Sequence, residues 1–329
     1  MITTKRLANG LLFMHRELSG SGIVDVRIML RSGGIYDKAL GVPPGTAHFV
    51  EHIVHEKTEK YASREELMKA IETCGGTRNA TTYTTEKMDF YGTVLSEHAE
   101  IAADYVSQMT SHAILTDEAT EKHRSIITQE CLSRLKQPEV KAWSAFKKAI
   151  LGGTGYEHRS LGTIESIAKI SRDDMQKFYD ARFLAENSIL SIYGDIAFDK
   201  ALALAEKYFS TMKSRDRKDS FAFESVPEAE ERCADLTKKF EHVEVADAQS
   251  VTLYGGTLPG RSGELHFPIS VMLQILAGDF TSILYRILRD EKHLLYHVGT
   301  STDRADTFGV FAFHMNIAPE NIQQAIDII

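Results

Sequence analysis

The run His48-Phe49-Val50-Glu51-His52 follows a loop, Gly41-Val42-Pro43-Pro44-Gly45-Thr46, in which Thr46 has the character of a helix N-cap. The pattern predicts a helix that carries His48 through His55. Residues four apart share a helix face, so His48 and His52 can chelate one ion from a single rigid element. Neutral imidazoles are good zinc ligands. Glu51, three residues after His48, borders the same face and suits a general base acting on a metal-activated water. Phe49, Val50, Ile53 and Val54 make much of this helix apolar, and half-buried imidazoles and carboxylates need partners, which a cation supplies. Two histidines at this spacing also arise on solvated helices that bind nothing. His55 falls near the same face, but three ligands along one straight helix would spread over roughly 10 Å of axial rise. A packing or supporting role suits it better.

Working outward, Ile23 to Leu30 alternates apolar and polar residues and then runs apolar, as a half-buried strand does. Asn9-Gly10 marks a turn between two short strand-like runs. Ser63, with Glu66 three residues on, has the capping-box pattern of a helix that ends at Gly75-Gly76. Residues 77–95 read as a hairpin. Ile101, Ala102, Tyr105, Val106 and Met109 form one helical stripe, Asp117 opens a further helix through Glu130 and Leu135, and Ser171 caps another. Ser188 to Gly194 reads as a buried strand. The first half is therefore expected to be α+β, an antiparallel sheet with segregated helices.

Residues 212–232 are charged and broken, as an exposed connection is. Beyond them a strand at Gln249 to Gly256, helices at Phe267 to Ala277 and Phe280 to Leu288, paired strands at Tyr296 to Ser301 and Phe308 to Met315, and a last helix from Pro319 repeat the element order of the first half. No His/Glu cluster accompanies this repeat. The expected organisation is a zinc-binding catalytic domain at 1–211, a linker at 212–232, and a partial second domain of related architecture at 233–329, shorter than the first.

Composition narrows the function. Across 329 residues, 38 Lys plus Arg face 46 Asp plus Glu, a formal net charge of −8, which argues against a nucleic-acid partner. Hydrophobic content of 43% and charged content of 26% exclude disordered, collagen-like and coiled-coil chains. Cys74, Cys131 and Cys233 form no C-x-x-C pair, so neither a cysteine zinc site nor a disulfide framework is expected, and a reducing, cytoplasmic setting fits best. No stretch approaches the roughly 20 apolar residues of a membrane helix. Walker, Gly-x-Gly-x-x-Gly and Gly-x-Ser-x-Gly motifs are absent. Gly152-Gly153-Thr154-Gly155 reads as a connection between helices, and Trp143 as packing.

His-x-x-Glu-His is the inverted zinc motif of the inverzincins. Its surroundings resemble the insulinase-like (pitrilysin) metallopeptidases, especially the processing-peptidase type. Gly75-Gly76-Thr77-Arg78-Asn79-Ala80 is similar to the family's run before its active-site strand. Arg124-Ser125-Ile126-Ile127-Thr128-Gln129-Glu130 resembles the helix that supplies the third zinc ligand, with Glu130 in the ligand's place. Leu161-Gly162-Thr163-Ile164-Glu165-Ser166-Ile167 and Gly194-Asp195 are further points of likeness. Leu288 to Tyr296 resembles the segment whose Arg and Tyr reach the substrate, here Arg289 and Tyr296.

The resemblance implies a zinc-dependent metalloendopeptidase with one Zn2+ per chain, held by His48, His52 and Glu130, with Glu51 as base. It implies that an extended peptide pairs with the strand at Asn79, Ala80, Thr81 and Thr82 by β-augmentation, and that Arg289 or Tyr296 helps stabilise the oxyanion. Read by themselves, Arg289 could be a surface ion-pair residue and Tyr296 a core aromatic. Partners implied are peptide substrates and a second subunit, as a homodimer or a heterodimer with a paralogous chain, with no nucleic acid or membrane. The competing reading is a non-catalytic or partner-dependent subunit of a heteromeric peptidase of this fold. Three departures from the family pattern stand out. His123 occupies the place of a Glu seven residues before Glu130, where a supporting role beside the metal is implied; residues 79–86 run one residue long, to be absorbed by a bulge or a longer turn; and the second half is short.

Overall fold

The computed structural model describes residues 1–157, 160–215, 227–234, 241, 243 and 250–329. The chain divides into two compact units: residues 1–131 with 159–222, and residues 132–158 with 223–329. The segment 132–158 thus groups with the second unit. Of the expected linker, residues 216–226 lie outside the described residues, as does Gln249 at the start of the second repeat's first strand.

The first unit is built on a six-stranded sheet. Strands β1 (Thr3–Arg6), β2 (Leu12–Glu17) and β3 (Ile23–Leu30) are followed by helices α1 (Tyr36–Leu40), α2 (Thr46–Ile53) and α3 (Arg64–Glu72). The hairpin β4 (Thr77–Thr82) and β5 (Met88–Leu95) leads to α4 (Ala99–Ser111) and α5 (Asp117–Leu135). After α6 (Pro138–Leu151), which belongs to the second unit, come α7 (Ile164–Ile167), α8 (Arg172–Arg182), β6 (Ser188–Gly194) and α9 (Phe198–Phe209). The strand order is β1-β2-β6-β3-β5-β4. All neighbours are antiparallel except β2 and β6, which run parallel. The expected antiparallel sheet packed with helices is present, with one parallel pair in it: β6 returns from a distant crossover rather than a hairpin, and a crossover can deliver a strand in the parallel sense. One sheet face is apolar, with Val24, Val26, Ile28, Phe90 and Ile192 buried.

The second unit contains α10 (Pro227–Ala234), β7 (Ser250–Pro259), α11 (His266–Ala277), a single α turn α12 (Ile283–Tyr285) that widens into a π-helical stretch over Arg286–Glu291, the hairpin β8 (Leu295–Arg304) and β9 (Phe308–Ile317), and α13 (Ile322–Ile328). Its sheet order is β7-β9-β8, all antiparallel. This matches β3-β5-β4 strand for strand, with helices between the first strand and the hairpin in each case: α1, α2 and α3 in the first unit, α11 and α12 in the second. The internal duplication is therefore one of topology. The expected helix from Phe280 begins only at Ile283. Leu273, Leu284, Leu288, Val298, Phe313 and Met315 build the core against the helices.

Candidate metal centre

The α2 helix begins at Gly45, not at Thr46. Gly45 takes φ of 98° and is the N-cap, while Thr46 is the first helical residue and donates Oγ1–H to the Pro43 carbonyl at 2.6 Å. A glycine brings no capping side chain, and the task passes to Asp37 in α1. Its Oδ2 accepts the Gly45 N–H at 2.8 Å and its Oδ1 the Ala47 N–H at 3.0 Å, and Thr46 N–H adds a third bond. Burial pushes the Asp37 carboxyl up to about 8, with the three N–H donors opposing the shift.

One further segment holds both helices of the site. A Cβ on Gly45 would lie 2.6 Å from the Leu161 carbonyl oxygen, and one on Gly162 (φ 72°) would lie 2.2 Å from the Pro44 oxygen. Only glycine allows this approach. Ser166 Oγ donates to the same Pro44 carbonyl at 2.7 Å. From α5, Arg124 Nη2 donates to the Ile170 carbonyl at 2.8 Å, and Nη1 bonds the Ile167 carbonyl. Residues 161–170 thus brace the entrance of α2 and the flank of α5 together.

That bracing brings three expected residues to one point. Glu130 Oε2 lies 3.8 Å from His48 Nε2 and 3.7 Å from His52 Nε2. Ligand atoms of the three lie within 4.8 Å of one another, the sole such His/Cys/Asp/Glu group among the described residues. A tetrahedral zinc with arms of about 2.1 Å would separate its ligands by about 3.4 Å, a few tenths of an ångström less than either Glu130–His separation. The donor set fits: two imidazoles and a carboxylate. Burial, aided by His123 and Arg64, lowers His52 to about 4, which leaves its ring neutral and its lone pair available at neutral pH.

Glu51 stands beside this group. Its Oε2 accepts the Thr82 hydroxyl at 2.6 Å. Burial raises its pKa to about 7; Thr82 opposes the shift, and Glu130 and Asp89 add to it. A carboxyl so placed can exchange a proton near neutral pH. His55 does not join the group. The helix ends at Ile53, and His55 Nδ1 bonds the Glu51 carbonyl oxygen at 2.8 Å.

His123 is fully buried, its ring 5.7 Å from that of His52, edge to face. Its Nε2 pairs with Glu56 Oε1 at 2.8 Å, and Lys122 Nζ binds the other oxygen of Glu56 at 2.7 Å. Position 123, where the resemblance implies an acid, thus carries a histidine paired with Glu56.

Asn79 to Thr82 lie on β4, the sheet's outer strand. Register with β5 runs unbroken from Thr77↔Thr93 to Thr82↔Met88, so no bulge interrupts the strand, and the turn 83–87 is the place for the extra residue that the resemblance implies. Gly33 and Gly34 hold that turn, donating to the Glu86 and Tyr83 carbonyls at 3.0 and 2.9 Å. Counting back from the Tyr83 N–H bond to Lys87 O, ladder alternation directs the backbone groups of Thr82, Ala80 and Arg78 to the open side. In the second unit, the Arg289 guanidinium lies 4.8 Å from the Tyr296 ring and 4.9 Å from the Tyr285 ring. Tyr296 is exposed.

Sequence reasoning passed over Asp37, Glu56 and the hydroxyl task of Thr82. A bare glycine at the N-cap was the one available pointer to Asp37; Glu56 and the Thr82 side chain carry no spacing signal.

Comparison with known proteins gives the family. Residues 17–155 match the family described as Insulinase (Peptidase family M16), and residues 169–329 match Peptidase M16 inactive domain. An uncharacterized zinc protease of Mycobacterium leprae is 26% identical over 285 residues, 87% of this chain and 62% of that protein. The uncharacterized zinc protease YmxG of Bacillus subtilis is 23% identical over 285 residues, 87% of this chain and 66% of the relative. The chain thus spans about three-fifths to two-thirds of these relatives' length. A crystal structure from Pseudomonas fluorescens described as a peptidase M16 inactive domain superposes with a TM-score of 0.86 at 17% identity, covering 100% of this chain and 78% of that one. A protease from Helicobacter pylori gives 0.85 at 18%, covering 100% and 79%. Two matched halves in the family's order, with the fold of its solved members, place this chain in the insulinase-like M16 peptidase family.

Proposed function

We propose that the protein is a zinc-dependent endopeptidase acting on extended peptides, with one Zn2+ per chain held by His48, His52 and Glu130. The observation that carries this reading is the convergence of Glu130 Oε2 on both Nε2 atoms, from a helix far along the chain. The ion supplies a Lewis acid for the scissile carbonyl and lowers the pKa of a water toward about 7. Glu51 takes a proton from the attacking water as its oxygen bonds to the carbonyl carbon. Glu51 then returns that proton to the leaving nitrogen as the C–N bond breaks. Thr82 Oγ1 orients the carboxylate throughout. The open side of β4 pairs with the backbone of the peptide, which selects extended chain and excludes folded protein. Arg289 and Tyr296 are proposed as substrate contacts on their motif.

A second reading, a subunit active only with a paralogous partner, is favoured by the match of residues 169–329 to a domain described as inactive. Zinc analysis with cleavage of a quenched, unstructured peptide tests both. About one zinc per chain, with Glu51→Gln keeping the metal and losing hydrolysis, supports the first. Metal retained but activity seen only after mixing with a paralogue supports the second. Purified protein that takes up no zinc sinks both.

A further inference from the structure

We infer that Asp37 is a positioning residue for the metal centre: its carboxyl group takes the place of an N-cap for α2 and so fixes where His48 and His52 stand. The inference rests on the zinc reading above and deepens it.

The geometry is unusual in its division of labour. The helix that carries both imidazoles and Glu51 starts at a left-handed glycine with no side chain to bond its first N–H groups. Helix starts left unsatisfied and buried are costly. Asp37 meets the need from eight residues upstream. Its two oxygens span the Gly45 and Ala47 N–H groups at 2.8 and 3.0 Å, and Ala47 directly precedes His48. Bonds to two N–H groups at the helix start, two residues apart, resist rotation of the helix about its axis as well as sliding along it. Rotation is the motion that would swing His48 and His52 away from Glu130.

Asp37 is itself held. It is buried in α1. Its neighbour Tyr36 lies under the Arg182 guanidinium, 3.4 Å from the ring centroid, and Arg182 Nε donates to the Arg31 carbonyl at 2.7 Å. Gly33 and Gly34, just before α1, hold the turn that follows Thr82. The same short stretch therefore sets the helix bearing His48, His52 and Glu51 and the strand whose Thr82 hydroxyl holds Glu51.

The test is zinc affinity at 25 °C and pH 7, by competition with a chelating dye, on the full chain as wild type, Asp37→Ala, Asp37→Asn, Asp37→Glu and Ser63→Ala. Ser63 caps α3 through the Glu66 N–H, and none of the three proposed ligands lies on that helix, so its loss is expected to lower melting temperature with the ligands left in place. The expected result is zinc binding about 10–100-fold weaker in the Ala and Asn variants, partial rescue in Asp37→Glu, and wild-type affinity in Ser63→Ala. Circular dichroism identifies which variants are folded; should Asp37→Ala fail to fold, Asp37→Asn, which keeps one acceptor, carries the comparison. Folded Asp37 variants that bind zinc as wild type does overturn the positioning role and leave the zinc reading intact. A wild type that binds no zinc overturns the zinc reading, and the positioning role falls with it.

Discussion

Thr82 Oγ1 donates to Glu51 Oε2 at 2.6 Å, joining the outer strand of the first sheet to the helix that carries the two imidazoles. The residue that ends the proposed peptide-binding strand therefore also aims the proposed base. Thr82→Val keeps the shape and removes the donor. Its peptide hydrolysis is expected to fall about tenfold or more in kcat, the scale of a lost hydrogen bond to a charged group, while zinc content stays at the wild-type value. Steady-state kinetics with parallel metal analysis checks this.

Glu130 is half-buried and lies at the meeting point of the two rings. Glu130→Gln replaces an anionic ligand by a neutral amide. Zinc affinity is expected to drop at least a hundredfold, with little change in the melting temperature of the metal-free protein. An unaltered affinity by dye competition would remove Glu130 from the ligand set.

Glu56 sits 2.8 Å from buried His123. Introducing the acid found at this place in the resembled family, His123→Glu, sets two carboxyl groups against each other. The variant is expected to lose about 1–3 kcal/mol of stability, and Glu56→Gln in the same chain to restore part of it. Urea denaturation of the single and double variants measures this coupling.

Asp37 makes stability depend on pH. Its carboxyl is raised by burial from 3.8 to about 8 in the folded protein. A raised acid contributes stability that is whole below about pH 4 and is lost as pH climbs through about 8, because the folded state binds the extra proton between those limits. Relative to Asp37→Asn, the metal-free wild type is expected to lose stability steadily from pH 5 to pH 8.5. Denaturant midpoints across that range test it; parallel curves would contradict the burial of an ionisable group there.

Much of this was legible in the letters. Four-residue spacing placed His48 and His52 on one face, alternation located β3 and β9, residues 77–95 form the expected hairpin, and the Ser63 cap stands as read, while α3 ends at Glu72, three residues before the expected Gly75-Gly76 stop. What escaped has a common cause. The parallel pairing of β2 with β6, the cap supplied to α2 by Asp37, and the Glu56 partner of His123 are tertiary contacts between residues without fixed spacing. Periodicity reports what a segment does to itself, and these features are set by what distant segments do to one another. Where the local pattern suggested Thr46 as cap, the left-handed Gly45 won, because a side chain there would strike the Leu161 carbonyl.

The meeting of Gly45 and Pro44 with Leu161 and Gly162 is main chain against main chain. A side chain at Gly45 or Gly162 would drive the two loops apart, and an insertion or deletion in either loop would shift the start of α2 with it. The aim of α2 thus depends on two glycines and on loop length.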